Sequence, residues 1–363
     1  MNLNIEEKLQ LIKSVGEEIT TEDELKNLLK TKTNPIAYDG FEPSGRIHIA
    51  QGLLRAININ KMIKAGFTFK MLVADWHAWA NHKMDGDLDK IQTVGKYFIE
   101  VWRASGMDLE NVEFVWASDL VKKEGYWDLV MKIAIKNNLK RILRTTQIMG
   151  RGEKETLSAS QILYPLMQAA DIFTLKADVT QLGMDQRKVN MLAREVAEDL
   201  GLTKPIVISH HMLLGLLPPK DKEGETTVDR AIRMKMSKSK PDSAIFMTDT
   251  KEEINRKIRN AWAPEGIIKE NPILEYCKYI VFEHPNIDTM LIERPEKFGG
   301  NVEFKTYQEL EEAYAKKELF PLDLKNALSK YLNKFLEPVR KHFAENENAR
   351  ELERKVISYK VTR

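Results

Sequence analysis

The chain has 363 residues, 43% hydrophobic and 30% charged, an ordinary globular composition with enough apolar material for two domains or one domain with a large appendage. Its 56 basic residues nearly balance its 54 acidic ones, for a formal charge of +2, so bulk charge neither marks nor excludes a nucleic-acid partner. The single cysteine, Cys277, excludes an internal disulfide and a thiolate zinc cage and fits a reducing compartment.

Residues 5–30 place Leu9, Ile12, Leu25, Leu28 and Leu29 among charges, which predicts two short amphipathic helices joined near Thr20–Thr21. A strand at 36–38 then meets "AYDGFEPSGRIHIAQG" and a helix over about 48–65. Asp-Gly and Pro-Ser-Gly mark turns there, and a helix start after a turn offers free N–H groups suited to phosphate. "FTFKMLVADWHAW" follows as a β-rich run, then a helix near 87–105, a strand at 112–118 and two helices across 126–172. "TLKADVTQLG" and "PIVISHH" read as two more strands around a helix at 185–199. This alternation predicts an α/β fold, a doubly wound parallel sheet of Rossmann-like kind. Segment 218–243, rich in Pro, Lys and Asp, reads as a mobile loop, and 251–363 reads as helices without β alternation. The expected division is therefore a domain over 1–247, with a helical insertion at about 120–160, and a helical domain over 248–363. No run approaches 18 apolar residues, and "MNLNIEEKLQ" lacks the apolar core of a signal peptide. A cytoplasmic protein with no membrane span is expected.

Gly40, Gly45 and Gly52 do not fit the dinucleotide fingerprint, and no G-x-x-x-x-G-K-[ST] loop occurs. A nucleotide needs another device. His48, with Gln51 one turn later, offers two donors at the predicted helix start. "RMKMSKSKPDS" at 233–243 adds four basic residues and three serines in a linker. Tyr164, Gln168 and Asp171 fall at i, i+4 and i+7, a polar stripe on an apolar helix that needs partners. Residues 131–151 carry six basic residues and no acid, with Lys132, Lys136, Lys140 and Arg144 forming one basic helix stripe. That stripe is either a solvated face or a contact for an RNA stem.

Together, "PSGRIHIAQG" and "KMSKS" resemble the two signature motifs of class I aminoacyl-tRNA synthetases, with His48-Ile49-Ala50-Gln51 where those enzymes often show His-Ile-Gly-His. "ADWHA", "YPLMQAAD", "LGMDQRKVNMLAREVA", "RPEKFGG" and "PLDLKNAL" extend the resemblance, from about Ile36 to about Phe343, to tyrosyl-tRNA synthetases of the archaeal and eukaryotic kind. The resemblance implies that Tyr38 and Asp171 hold the phenol of L-tyrosine, and that Tyr164, Gln168 and Gln186 hold its ammonium and carboxylate end. His77 would line the same pocket. Gly40, His48, Gln51 and Ser237 would face ATP, and Lys235 and Lys238 the departing pyrophosphate. His48, Gln51, Lys235 and Lys238 would carry the catalysis, with Mg2+ accompanying ATP and no tightly bound cofactor. Arg187 and Lys188 would meet the first base pair of tRNA(Tyr). Phe298 and Asp323 would read the first anticodon base, with Phe320 where an archaeal relative carries His. A homodimer is implied by the resemblance alone. A tryptophan enzyme shares the motifs, but an indole N–H needs one acceptor, whereas Tyr38 with Asp171 suits a phenol that donates and accepts. A signalling paralogue with a dead site sits poorly with intact His48, Lys235 and Lys238. A small-molecule nucleotidyltransferase has no need of about 110 helical residues after the loop.

Overall fold

The computed structural model describes residues 3–150, 155–220, 224, 230, 233–238 and 240–360. Its centre is a six-stranded sheet: β1 Gly16–Thr20, β2 Ile36–Phe41, β3 Thr68–Val73, β4 Val112–Trp116, β5 Val179–Gly183 and β6 Ile206–His210. The spatial order is β1-β6-β5-β2-β3-β4, parallel throughout except for β1, which runs antiparallel along β6. β5 and β6 are buried at every residue, as central parallel strands covered on both faces should be. In β3 the side chains alternate: Met71 and Val73 join one apolar cluster, Leu72 the other.

Helices α1 Ile5–Lys13, α2 Glu22–Thr31, α3 Leu53–Lys64 and α5 Leu88–Ala104 contribute to the first cluster. Helices α6 Ala117–Leu120, α7 Tyr126–Ile135, α8 Leu139–Thr145, α9 Ala159–Thr174 and α10 Arg187–Asp199 build the second, and α4 Asp75–Ala80 follows β3. The first cluster continues without a break into the C-terminal part. There α11 Lys251–Asn260, α12 Pro272–Tyr276, α13 Tyr307–Ala315, α14 Pro321–Glu345 and α15 Glu347–Ser358 follow one another. Phe343 of α14 meets Tyr97 of α5 with ring centroids 5.5 Å apart.

Four expectations change. Between the two N-terminal helices lies β1, a polar edge strand without the alternation that marks a half-buried one. Thr21 does start the second helix, in a reciprocal cap with Glu24. The helix expected from 48 begins at Leu53, because the backbone of 47–49 is committed elsewhere. Ile49 N–H donates to Ile245 O at 2.9 Å and Met247 N–H to Ile47 O at 3.0 Å. The helical C-terminal part carries a small antiparallel hairpin, β7 Met290–Ile292 with β8 Val302–Phe304, whose strands are too short to show a period. Finally, the basic stripe does not lie on one helix. Asn138 caps α8, accepting from Arg141 N–H at 2.9 Å, so the chain turns between Lys136 and Lys140. Part of the expected 218–243 loop, and residues 151–154 of the expected insertion, lie outside the described residues.

Candidate active site

In an open α/β sheet, ligands bind at the carboxyl ends of the strands where strand order reverses. That point lies between β5 and β2, and a cleft of about 720 Å³ opens there. The ends of β2 (Tyr38 to Phe41), β5 (Gly183) and β6 (His210) reach it, with α9 on one side and residues 233–238 above.

One end of the cleft is lined by buried polar side chains. Asp171 is fully buried on α9, in line with Tyr164 and Gln168, and all three line the cleft. The Tyr126 hydroxyl donates to Asp171 Oδ1 at 2.8 Å, while His77 Nε2 stands 3.0 Å from Oδ2 without hydrogen-bond alignment. Burial pulls the His77 pKa down, but Asp171 beside it outweighs that and holds the imidazole above its ordinary value. Burial, then the Asp171 charge, raises the Tyr38 phenol far above its usual range. Tyr164 is raised likewise, by burial and by Glu42. Both hydroxyls therefore keep their protons at neutral pH. Gly40 makes room for Tyr38, since a Cβ there would lie 3.3 Å from the ring. Nearby, Gln168 Nε2 donates to Gln186 Oε1 at 3.1 Å, and Gln186 Nε2 to Ile148 O at 3.1 Å.

The other end is cationic. His48 is 8% exposed, and its extended backbone bridges Phe246, just past the lysine loop. Gly52 closes this junction: a Cβ would meet Met247 at 2.5 Å. Burial, reinforced by Lys238, Lys235 and Arg55, pushes the His48 pKa well below the usual histidine range. Its imidazole is neutral. His48 Nδ1 and Gln51 Oε1 are buried with no partner among the described residues, as expected of groups that wait for a ligand. Lys235 Nζ pairs with Asp185 Oδ2 at 2.7 Å, and Lys238 Nζ donates to Ser44 Oγ at 3.2 Å. Ser237 lines the same wall. Burial lowers the Lys238 ammonium to about 7, with Lys83 and Lys235 adding to it and Glu42 opposing.

Between the two ends lies a buried floor that sequence reasoning missed. Arg55 Nη1 stands 2.6 Å from His210 Nδ1 and 3.6 Å from Asp39 Oδ2. Burial raises Asp39 to about 7, against the opposing pull of Arg55. No sequence signal joins Arg55, on a helix, to His210, 155 residues later. Tyr126 was missed for the same reason, whereas Asp185 and Glu42 sit inside stretches already singled out.

The expected RNA-contact residues lie outside this cleft. Arg187 Nε pairs with Glu18 Oε1 at 2.8 Å, and Lys188 Nζ meets Gln147. Phe298 and Phe320 are exposed, and Arg294 ties their two segments together by donating to Gly300 O and Glu318 O. Asp323 stands in the first turn of α14.

Residues 30–337 match the family described as tRNA synthetases class I (W and Y). The chain is 51% identical to "Tyrosine--tRNA ligase 1, cytoplasmic" of Arabidopsis thaliana, over 100% of this chain and 91% of that protein. Among solved structures it superposes on the tyrosyl-tRNA synthetase of Pyrococcus horikoshii complexed with L-tyrosine, with a TM-score of 0.90 and 38% identity. That match covers 97% of this chain and 100% of the other. It also resembles the Leishmania major tyrosyl-tRNA synthetase in complex with tyrosinol, with a TM-score of 0.88 and 44% identity, over 99% of this chain but 61% of the longer Leishmania chain.

Proposed function

This chain belongs to the class I aminoacyl-tRNA synthetases that serve tryptophan and tyrosine, and from that premise we propose that it activates L-tyrosine with ATP and transfers it to tRNA(Tyr). The observation that carries the choice of tyrosine is Asp171. Its buried Oδ2 has no aligned hydrogen-bond donor and lines the cleft together with the Tyr38 hydroxyl. A phenol supplies the missing donor and accepts from Tyr38. The tyrosine carboxylate attacks the α-phosphorus of ATP, an O–P bond forms, and the bond to the β-phosphate oxygen breaks. Pyrophosphate departs beside Lys235 and Lys238. A terminal ribose hydroxyl of tRNA then attacks the carbonyl carbon and releases AMP. No side-chain nucleophile is required, so the residues act by positioning and by charge stabilisation. His48 and Gln51 face the triphosphate, with Ser237 and Gly40 on its flanks. Tyr164, Gln168 and Gln186 face the amino-acid head group. Mg2+ accompanying ATP would be held largely by its phosphates and water, where it neutralises phosphate charge.

Residues 1–247 would carry this chemistry and 248–363 the anticodon contact. A groove of about 1100 Å³ between α11 and α14 supports an RNA partner. Lys251, Arg259, Lys325, Lys330, Lys334 and Lys341 line it against two acids, Glu293 and Glu337. Asp323→Ala is expected to lower kcat/KM for tRNA roughly tenfold, the scale of one lost hydrogen-bonded base contact, with tyrosine activation unchanged. Parallel assays of aminoacylation and ATP–pyrophosphate exchange check this. Equal loss in both would make Asp323 a helix-stabilising residue only.

We also propose a homodimer through α7 and α8. Trp127, Met131 and Ile135 on α7, and Leu139 and Leu143 on α8 beyond the turn at Asn138, are all exposed, Ile135 to 74%. Apolar side chains exposed on two successive helices mark a protein interface, and the same side chains of a second copy complement them. Lys132 and Lys136 beside them are already paired with Asp128 and Asp199, at 2.7 and 3.7 Å. Sedimentation should show the wild type as a dimer and Ile135→Lys as a folded monomer. A dimeric variant would place the interface elsewhere. The relatives include a protein named cytoplasmic, and no helix among the described residues is long and apolar enough to cross a membrane. A cytoplasmic location follows as part of this reading.

A further inference from the structure

Among the described residues, helix α5 gives no side chain to the cleft lining, yet two of its aromatic rings touch the two signature stretches of the nucleotide half. Phe98 and Trp102 are fully buried and stand one turn apart on the same helix face. Their rings meet edge to face, with centroids 5.5 Å apart. The Trp102 Nε1–H donates to Gln51 O at 2.9 Å, and its ring stacks on Phe114 with centroids 5.8 Å apart. Trp102 thus ties α5 to the backbone of the first stretch. Phe98 bears on the second: Lys238 Nζ lies over its ring, 4.6 Å from the centroid.

That contact differs in kind from the one made by the other lysine of the loop. Lys235 is met by the Asp185 carboxylate at 2.7 Å, which compensates its charge. Lys238 is met by the Ser44 hydroxyl at 3.2 Å and by the Phe98 ring, both of them neutral. A ring face attracts a cation through its quadrupole and takes nothing from the cation's net charge. The attraction is strongest where water is excluded, and burial here is deep enough to bring the Lys238 ammonium down to about 7. Ser44 and the ring therefore fix the ammonium from two directions and leave its charge available to phosphate.

We propose that Phe98 is a positioning residue for tyrosine activation: its ring seats the Lys238 ammonium beside Ser44, uncompensated, where the departing pyrophosphate meets it. This rests on the reading of the cleft as the site of tyrosine activation. Phe98 touches no substrate and acts only through Lys238.

Phe98→Leu keeps a buried apolar side chain and removes the ring. The full-length variant should activate tyrosine roughly tenfold more slowly, the scale of one desolvated cation–π contact, with the KM for tyrosine unchanged. In a Lys238→Ala background the same substitution should cost almost nothing further, because the contact is already gone. A loss of packing alone would cost the same in both backgrounds. Phe98→Met, which adapts to irregular core space, serves if the leucine variant does not fold. NMR on protein labelled at its lysine side chains reads the seat itself, with Lys238→Ala assigning the signal. The Phe98 ring current should shift the Lys238 ε-CH2 protons upfield of their position in free lysine, without ATP or tyrosine, and Phe98→Leu should remove that shift. The proposal is overturned by an unshifted Lys238 signal in the wild type, by equal costs in the two backgrounds, or by a tyrosine KM that rises as far as the rate falls. An upfield Lys238 signal lost in Phe98→Leu, in a protein with no tyrosine-dependent exchange, would refute the functional reading and leave the seat standing.

Discussion

Asp171→Ala is expected to lower the ratio of kcat/KM for tyrosine over phenylalanine by about a hundredfold or more. Phenylalanine is smaller than tyrosine by one hydroxyl and enters any recess that tyrosine enters, so shape cannot exclude it. Exclusion must come from buried groups that lose their partner when the hydroxyl is missing. Asp171 and Tyr38 are such groups, 0% and 1% exposed. Enzymes of this family are known to prefer tyrosine by about 10⁴–10⁵, a range taken from them and not deduced from this geometry. Removing the carboxyl should damage tyrosine activation severely and phenylalanine activation much less. The structure adds a complication. Asp171 also accepts from Tyr126 and faces His77, so alanine leaves two further polar groups without it. Asp171→Asn separates the effects, because the amide oxygen still accepts from Tyr126. Its selectivity should fall between that of wild type and that of alanine. A variant with unchanged selectivity at an unchanged melting temperature would remove Asp171 from the substrate site.

Lys238→Ala is expected to lower the rate of tyrosine activation by roughly 10²–10³, the scale for losing one preorganised donor to developing charge, with little change in tyrosine affinity. Lys238 stands 3.2 Å from Ser44 in the turn before His48, so it already bridges the two signature stretches. Its ammonium, lowered to about 7 by burial, favours the charged form once a polyphosphate lies beside it. Above pH 7, ATP binding should therefore take up a proton, and the uptake should vanish in the alanine variant. Pre-steady-state adenylate formation and calorimetry in two buffers of different ionisation heat check both statements. Normal activation rates in the variant would assign the lysine to loop structure alone.

The doubly wound sheet was legible because each central strand is an apolar run bounded by turn signals. Tyr164, Gln168 and Asp171 were legible as a stripe because helical spacing is visible in any sequence. Both features are local. The misreadings share the opposite character. His48 looked like a helix start because Gly, Pro and Ser precede it. Its backbone instead pairs with residues 245–247, a contact no local pattern encodes. β1 was hidden because an antiparallel edge strand can be polar on both sides. Lys132, Lys136, Lys140 and Arg144 kept a perfect four-residue spacing across a helix break that Asn138 imposes, and the exposed apolar side chains one residue ahead of them went unnoticed. Arg55 and His210 reach the cleft, and Tyr126 reaches Asp171, only through the tertiary fold.

The central claim is that this cleft activates tyrosine, and tyrosine-dependent ATP–pyrophosphate exchange tests it most directly. The wild-type protein should exchange pyrophosphate with L-tyrosine present and remain near background with tryptophan or phenylalanine at the same concentration. Exchange with tryptophan but not tyrosine, or with no amino acid at all, would contradict the account.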